Sequence, residues 1–312
     1  MDSIREGWFT EFSPDQAELD KKGTSETSEV IQGNSWPGQA FSLQISKELF
    51  HEKSAYQDVH VFESRSHGRV LVLDGIIQCT DLDEFAYQEM LTHLAMFSHH
   101  SPAKVLIIGG GDGGILREVL KHDCVVSVVL CEIDEMVINV SRKYLPQLSV
   151  SFDSPKLELH IGDGMEFLKH HVNEFDVIIT DSSDPAGPAE KLFTKSYYEL
   201  LRDSLREGGV LSSQGECPWI DMSLVHEVYK SCKQLFSSAA YAVGSVPTYT
   251  TGLMGYIICL KDQKRDISVP LRTLSEEEVK RMKLRYYNSA VHRASFALPQ
   301  FIKEVSKIVC LL

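Results

Sequence analysis

Two aspartates, Asp181 and Asp184, stand three residues apart in Thr180-Asp181-Ser182-Ser183-Asp184-Pro185, directly after an apolar run. Carboxylates at the end of a buried strand can hold a cation or take a proton. Either could instead cap the stretch before Pro188. Upstream, positions 109–114 read Gly-Gly-Gly-Asp-Gly-Gly, and Gly109, Gly111 and Gly114 fit G-x-G-x-x-G. Without Cβ atoms such a loop turns tightly, and a ligand can lie against bare backbone. Glu132 follows Gly111 by 21 residues, about where a carboxylate meets ribose hydroxyls. The same glycines could also make a tight turn that binds nothing. Asp112, inside the loop, is a poor neighbour for a pyrophosphate and a good one for a cation. An adenosyl sulfonium therefore fits better than a dinucleotide. Asp163, in Gly162-Asp163-Gly164, could meet an adenine amino group or cap a helix. Tyr87-Gln88 and Tyr249 are polar residues near element ends, suited to packing or to a ligand.

These residues need elements to hold them. Val105–Ile108 is a continuous apolar run bounded by glycines, which reads as a strand buried on both faces. Strand, glycine loop, helix, second strand and terminal acid make one βαβ unit ending at Glu132. From there the pattern alternates. Strands are expected near 104–108, 126–131, 157–161, 175–180 and 209–214, and helices near 114–121, 134–143, 164–170, 195–206 and 221–236. The last strands, 238–246 and 255–260, lack a long helix between them and should pair antiparallel. The fold class is α/β: a Rossmann-like, class I methyltransferase-type doubly wound sheet with an antiparallel tail.

Before it, residues 1–82 read as a small antiparallel β domain, with 83–312 as the catalytic domain. Trp8, Phe9 and Phe12 suggest a short strand. Residues 13–35 are polar and read as a mobile loop. Phe41, Leu43 and Ile45 alternate with polar residues, and Asp74-Gly75 between apolar runs signals a hairpin. A helix spans Asp83 to Ser98, with Asp83 as its N-cap. Residues 275–309 look helical, amphipathic from Glu276 to Tyr287. The histidine pairs His99-His100 and His170-His171 read as charge complements at helix ends.

At 312 residues and 43% hydrophobic content, the chain can bury a large core. Its formal net charge of -13 argues against nucleic acid and suits a cationic substrate. The seven cysteines are scattered, with no C-x-x-C, so reduced cytosolic thiols are expected in place of disulfides or a zinc site. No membrane span or signal segment is read, and the expected location is the cytoplasm.

The motifs occur in a recognisable order. They are WPGQA at 36–40, YQD at 56–58, LDG at 73–75, QCT at 78–80, DEF at 83–85 and YQE at 87–89. GGGDGG at 109–114, CEID at 131–134, GDG at 162–164, TDSSDPAGPA at 180–189, QGE at 214–216 and PTY at 247–249 follow. Over nearly its whole length the chain resembles the polyamine aminopropyltransferases, the spermidine synthase family. YYN at 286–288 and VHRA at 291–294 resemble its animal members.

The resemblance implies a polyamine biosynthesis domain over roughly 5–261. It implies transfer of an aminopropyl group from decarboxylated S-adenosylmethionine, a co-substrate, to putrescine, with no metal and no cofactor. Asp181 is matched to the general base. Tyr87, Asp184 and Tyr249 are matched to the amine, and Gln57, Gln88, Asp112, Glu132, Asp163 and Gly164 to the donor. A homodimer is implied, and ordering of residues 182–191 around bound substrates is expected. Two rivals share the pattern: an N-methyltransferase of putrescine using S-adenosylmethionine, and a non-catalytic polyamine-binding protein.

Overall fold

The computed structural model describes residues 7–12, 39–183 and 187–308. The polar stretch 13–35 and Asp184 therefore lie outside the described residues. Five strands form the small sheet in chain order, each antiparallel to the next: β1 (Trp8–Phe12), β2 (Ala40–Lys53), β3 (Asp58–Ser64), β4 (Gly68–Leu73) and β5 (Ile76–Thr80). The β4–β5 hairpin turns on Asp74 (φ 49°) and Gly75 (φ 83°). Two left-handed residues give the turn whose twist matches that of the flanking strands. One side of the sheet packs Phe9 on Leu43, Phe62, Val70, Val72 and Ile77. The other presses Val59, Val61 and Leu71 onto Val137 and Val140 of the larger layer.

The first helix, α1 (Glu84–Met96), is buried along almost its whole length. Asp83 occupies its N-cap position, but its side chain does not cap the helix. It accepts instead from Thr80 Oγ1 at 2.6 Å, and from Thr248 N at 2.9 Å and Oγ1 at 2.8 Å. This tie fastens the end of the small sheet to the segment that carries Tyr249. Glu89, also buried, accepts backbone N–H groups of Arg285, Tyr286 and Tyr287 at 2.8–2.9 Å. A carboxylate meeting three N–H groups gains charge-assisted bonds that offset its desolvation.

Seven strands form the large sheet: β6 (Lys104–Gly109), β7 (Ser127–Glu132), β8 (Leu157–Ile161), β9 (Phe175–Asp181), β10 (Leu205–Gln214), β11 (Ser238–Ser245) and β12 (Leu253–Leu260). Their order is β11-β12-β10-β9-β6-β7-β8. The neighbours from β10 to β8 are parallel, and β12 runs antiparallel to both β10 and β11. Helices α2 (Gly114–Val119), α3 (Glu135–Tyr144), α4 (Gly164–Leu168), α5 (Lys195–Ser204) and α6 (Met222–Leu235) connect them, leaving one apolar cluster on each face of the sheet. The doubly wound expectation and its antiparallel tail are both met.

The C-terminal region is less continuous than its pattern implied. It breaks into α7 (Glu276–Arg281), α8 (Ser289–Ser295) and α9 (Gln300–Ile308). Lys283 at φ 52° ends the first, Asn288 caps the second and Pro299 precedes the third. Burial lowers the pKa of His99, which works against the charged form expected at the end of α1. His171 stacks on Phe167 at 3.9 Å and pairs with Glu174 at 2.7 Å. Among the described residues every cysteine is free, and no helix is long and apolar enough to cross a membrane.

Candidate active site

The chain leaves β6 for β7 and β8 on one side, then returns to place β9 on the other. Open α/β sheets bind ligands at this reversal, outside the carboxyl ends of the strands. There the end of β6 supplies the glycine loop, β7 supplies Glu132 and β9 supplies Asp181. Gly109 stands opposite Asp181 in the parallel register. A Cβ on Gly109, whose φ is +79°, would overlap the Asp181 carbonyl oxygen. One on Gly111 would lie 2.9 Å from Glu132 Oε2, and one on Gly114 would collide with the Gln88 side chain. The three glycines thus make room for the protein's own polar groups, in addition to any ligand.

Those groups form a chain of carboxylates. Tyr87 Oη donates to Asp181 Oδ1 at 2.6 Å. Asp112 accepts from Gln88 Nε2 and from Gly114 N, each at 2.7 Å. Glu132 accepts from Gly111 N at 3.1 Å and from Asp134 N at 2.9 Å. Burial, and then the charge of Asp112, lift the Asp181 pKa to about 8, against the hydrogen bond from Tyr87. Burial lifts Glu132 to about 7, against backbone N–H bonds that favour its charge. Burial also raises Asp112, partly offset by its Gly114 and Gln88 bonds and by Arg117. Three acids held this close are short of positive charge. A cation bound among them would lower all three pKa values and gain from each.

Two tyrosines stand beside Asp181. Tyr249 Oη donates to the Gln78 carbonyl at 2.8 Å, and its ring centroid is 5.5 Å from that of Tyr87. Burial pushes both phenols well above their ordinary pKa, so both remain protonated donors. Gln57 reaches the site through an intermediary. Its Nε2 and Ser54 Oγ donate to Asp134 Oδ2 at 2.9 and 2.7 Å, while Asp134 Oδ1 accepts from Met136 N at the start of α3. Asp163 caps α4, accepting from Met165 N at 2.7 Å, and its side chain is exposed at the end of β8. Gly164 is fixed as glycine because a Cβ would strike Ile108.

The structure thus brings Tyr87, Gln88, Asp112, Glu132 and Asp181 together, with Tyr249 against Tyr87 and Gln57 one residue removed. Sequence reasoning missed Asp134, although CEID places it two residues past a strand-end acid. It read Asp83 only as a helix cap and missed its tie to Thr248, a bond that spans 165 residues and leaves no local pattern. Gln214 and Glu216 of the QGE motif bond each other at 2.7 Å within the buried interior.

The family model described as the spermine/spermidine synthase domain matches residues 84–268, and that described as the spermidine synthase tetramerisation domain matches residues 28–81. The chain belongs to this family. It is 51% identical to a spermidine synthase of Schizosaccharomyces pombe, covering 97% of this chain and 94% of that one. It is 50% identical to a spermidine synthase of Dictyostelium discoideum, covering 96% and 98%. A solved spermidine synthase in complex with the transition state analogue AdoDATO is 37% identical, with a TM-score of 0.83 over 96% of this chain and 95% of that one.

Proposed function

We propose that the chain is a spermidine synthase, transferring the aminopropyl group of decarboxylated S-adenosylmethionine to putrescine. The observation that carries this reading is the cluster of Asp112, Glu132 and Asp181 at the switch point, with Tyr87 bonded to Asp181. Both substrates are cations, and among the described residues Arg117 offsets only part of the raised pKa of Asp112. The family covers spermine as well as spermidine synthases, so acceptor length is the finer question.

The reaction is a direct displacement. The neutral amine nitrogen of putrescine attacks the carbon beside the sulfonium. A C–N bond forms, the C–S electron pair returns to sulfur, and 5′-methylthioadenosine leaves. The nitrogen keeps its two protons and takes over the positive charge that sulfur loses. An alkyl ammonium has a pKa near ~10, so the amine must lose a proton at or before attack. Asp181 receives it. The burial that lifts Asp181 to about 8 in the empty site narrows the gap to the pKa of the ammonium, which makes it the better base. Tyr87 orients the carboxylate, and Tyr249 bounds the diamine slot.

On the donor side, Glu132 takes the ribose hydroxyls, and Asp163 with Gly164 takes the adenine. Asp112, Gln88 and Gln57 line the methionine-derived arm. Intact S-adenosylmethionine would bring its own carboxylate toward Asp112, and repulsion would reject it. Asp184, three residues beyond the base, serves the substrate amines. The working form is a homodimer built through the small sheet. Mass analysis of products tests the reading, with putrescine, cadaverine and spermidine each offered alongside the decarboxylated donor. Spermidine and methylthioadenosine from putrescine are expected. Product only from spermidine would make the chain a spermine synthase, and N-methylputrescine from intact S-adenosylmethionine would make it a methyltransferase.

A further inference from the structure

The loop that joins β2 to β3 is docked onto the large sheet through one carboxylate. Ser54 N donates to the Gln57 carbonyl at 2.8 Å, which closes the loop on itself. Ser54 Oγ accepts from the backbone N–H groups of Tyr56 and Gln57, each at 3.0 Å, and donates to Asp134 Oδ2 at 2.7 Å. Gln57 Nε2 donates to the same oxygen at 2.9 Å. Asp134 is 2% exposed. Its Oδ1 accepts from Met136 N at 3.0 Å, and its own N–H donates to Glu132 Oε1 at 2.9 Å. One buried residue thus joins the small sheet, the start of α3 and the acid at the end of β7.

The chemistry of that carboxylate decides how Gln57 faces. An ionised carboxylate only accepts, whereas an amide has a donating end and an accepting end. Asp134 therefore holds the NH2 end of Gln57, and the carbonyl oxygen is left for a ligand. Asp112 does the same to Gln88. It accepts from Gln88 Nε2 at 2.7 Å, while Gln88 Oε1 is buried without a hydrogen-bond partner. A buried acceptor left unpaired is costly. A primary ammonium carries three N–H donors and meets that need. A ligand carboxylate carries none, so it would set its own negative oxygens against amide oxygens.

We propose that Asp134 is a positioning residue for the donor, acting through Gln57. It turns the Gln57 amide so that the carbonyl oxygen, and not the NH2 group, meets the ammonium of the aminopropyl arm. Resting on the proposed reaction, this role adds a source of donor choice to it. Two amides locked with their oxygens toward the arm favour a cation and disfavour the carboxylate of intact S-adenosylmethionine.

The test is calorimetric titration of decarboxylated S-adenosylmethionine, intact S-adenosylmethionine and 5′-methylthioadenosine into the full chain. The proteins are wild type, Asp134→Asn, Gln57→Ala and the double variant, with thermal midpoints to confirm folding. Asn still caps a helix, but its amide can donate or accept, so Gln57 is free to flip. Asp134→Asn should lose about tenfold in affinity for the decarboxylated donor, and its preference over intact S-adenosylmethionine should narrow by at least that factor. Methylthioadenosine, which lacks the aminopropyl arm, should bind all four proteins alike. Adding Asp134→Asn to Gln57→Ala should weaken donor binding no further. Equal losses for all three ligands, or losses that add in the double variant, would overturn the inference, because Asp134 would then support only the fold. Should Asp134→Asn not fold, Asp134→Ser carries the same test, since a hydroxyl also caps a helix and also donates or accepts. A wild type that makes no spermidine, yet shows the arm-specific loss in Asp134→Asn, would overturn the proposed reaction and support the role of Asp134.

Discussion

Tyr87 donates its hydroxyl to the Asp181 carboxylate at 2.6 Å, joining two residues 94 positions apart. The bond runs from α1, the helix that leads from the small sheet into the large one, to the end of a central strand, and it does two things. It holds the orientation of the Asp181 carboxylate. It also favours the ionised form of that carboxylate against burial and the neighbouring charges of Asp112 and Glu132.

Asp181→Asn keeps the size of the side chain and its hydrogen bond but cannot take a proton. The variant should fold and bind both substrates, with kcat lower by roughly 10²–10⁴-fold, the usual range for loss of a general base. Steady-state kinetics at saturating donor decides this. A kcat within a few-fold of wild type would remove Asp181 from proton transfer.

Tyr87→Phe leaves the base present but detuned. The hydrogen bond lowers the Asp181 pKa, so its loss should raise it. A base acts when ionised, so the acid limb of kcat/KM against pH, near pH 8 in wild type, should move to higher pH. A hydrogen bond to a charged group contributes about 1.5–3 kcal/mol, which predicts a fall in kcat/KM of roughly 10–150-fold on the low-pH side. A profile that drops evenly without moving would mean that Tyr87 acts by shape alone.

The main acids of this site were legible because each follows a strand, and strand ends converge in a doubly wound sheet. The apolar runs at 105–108 and 175–180 fix the strands, and the motifs directly after them fix Asp112 and Asp181. What could not be read is the work done by long-range contacts. Asp83 looks like a helix cap in sequence, and only the fold brings Thr248 to it. The glycine loop was legible as a turn, but the need for Gly109 comes from the β9 backbone beside it, which no local pattern records. The C-terminal region looked continuously helical because its apolar spacing holds, while Lys283 in the left-handed region and the Asn288 cap interrupt it.

Glu132→Gln separates donor from acceptor. Gly111 N and Asp134 N donate to different Glu132 oxygens, so the amide keeps one of these bonds, and circular dichroism checks that the variant folds. The charge that would meet ribose hydroxyls is lost, and donor affinity should fall by on the order of 1.5–3 kcal/mol. Calorimetric titration of decarboxylated S-adenosylmethionine measures this directly. Putrescine affinity at saturating donor should change little, and an equal loss for both substrates would assign Glu132 to the fold.

The stability of the empty enzyme should carry the signature of its crowded acids. Asp181 and Glu132 titrate in the folded state at about 8 and about 7, above unfolded values of ~3.9 and ~4.3. A raised folded pKa means that the folded chain keeps a proton the unfolded chain has already released. The associated stability is complete below about pH 4 and is lost as pH rises through 7 and 8. The slope is at most about 1.4 kcal/mol per pH unit for each group. Asp181→Asn has no such proton to lose. Urea unfolding of both proteins without ligands, from pH 5.5 to 8.5, should therefore show the variant gaining on wild type as pH rises. Decarboxylated S-adenosylmethionine at saturation supplies the missing positive charge, so it should stabilise wild type more strongly at pH 8.5 than at pH 5.5. Parallel profiles for the two proteins would mean that the Asp181 carboxyl is already ionised in the empty site at neutral pH, and that the charge of Asp112 is better screened than its position beside Asp181 implies.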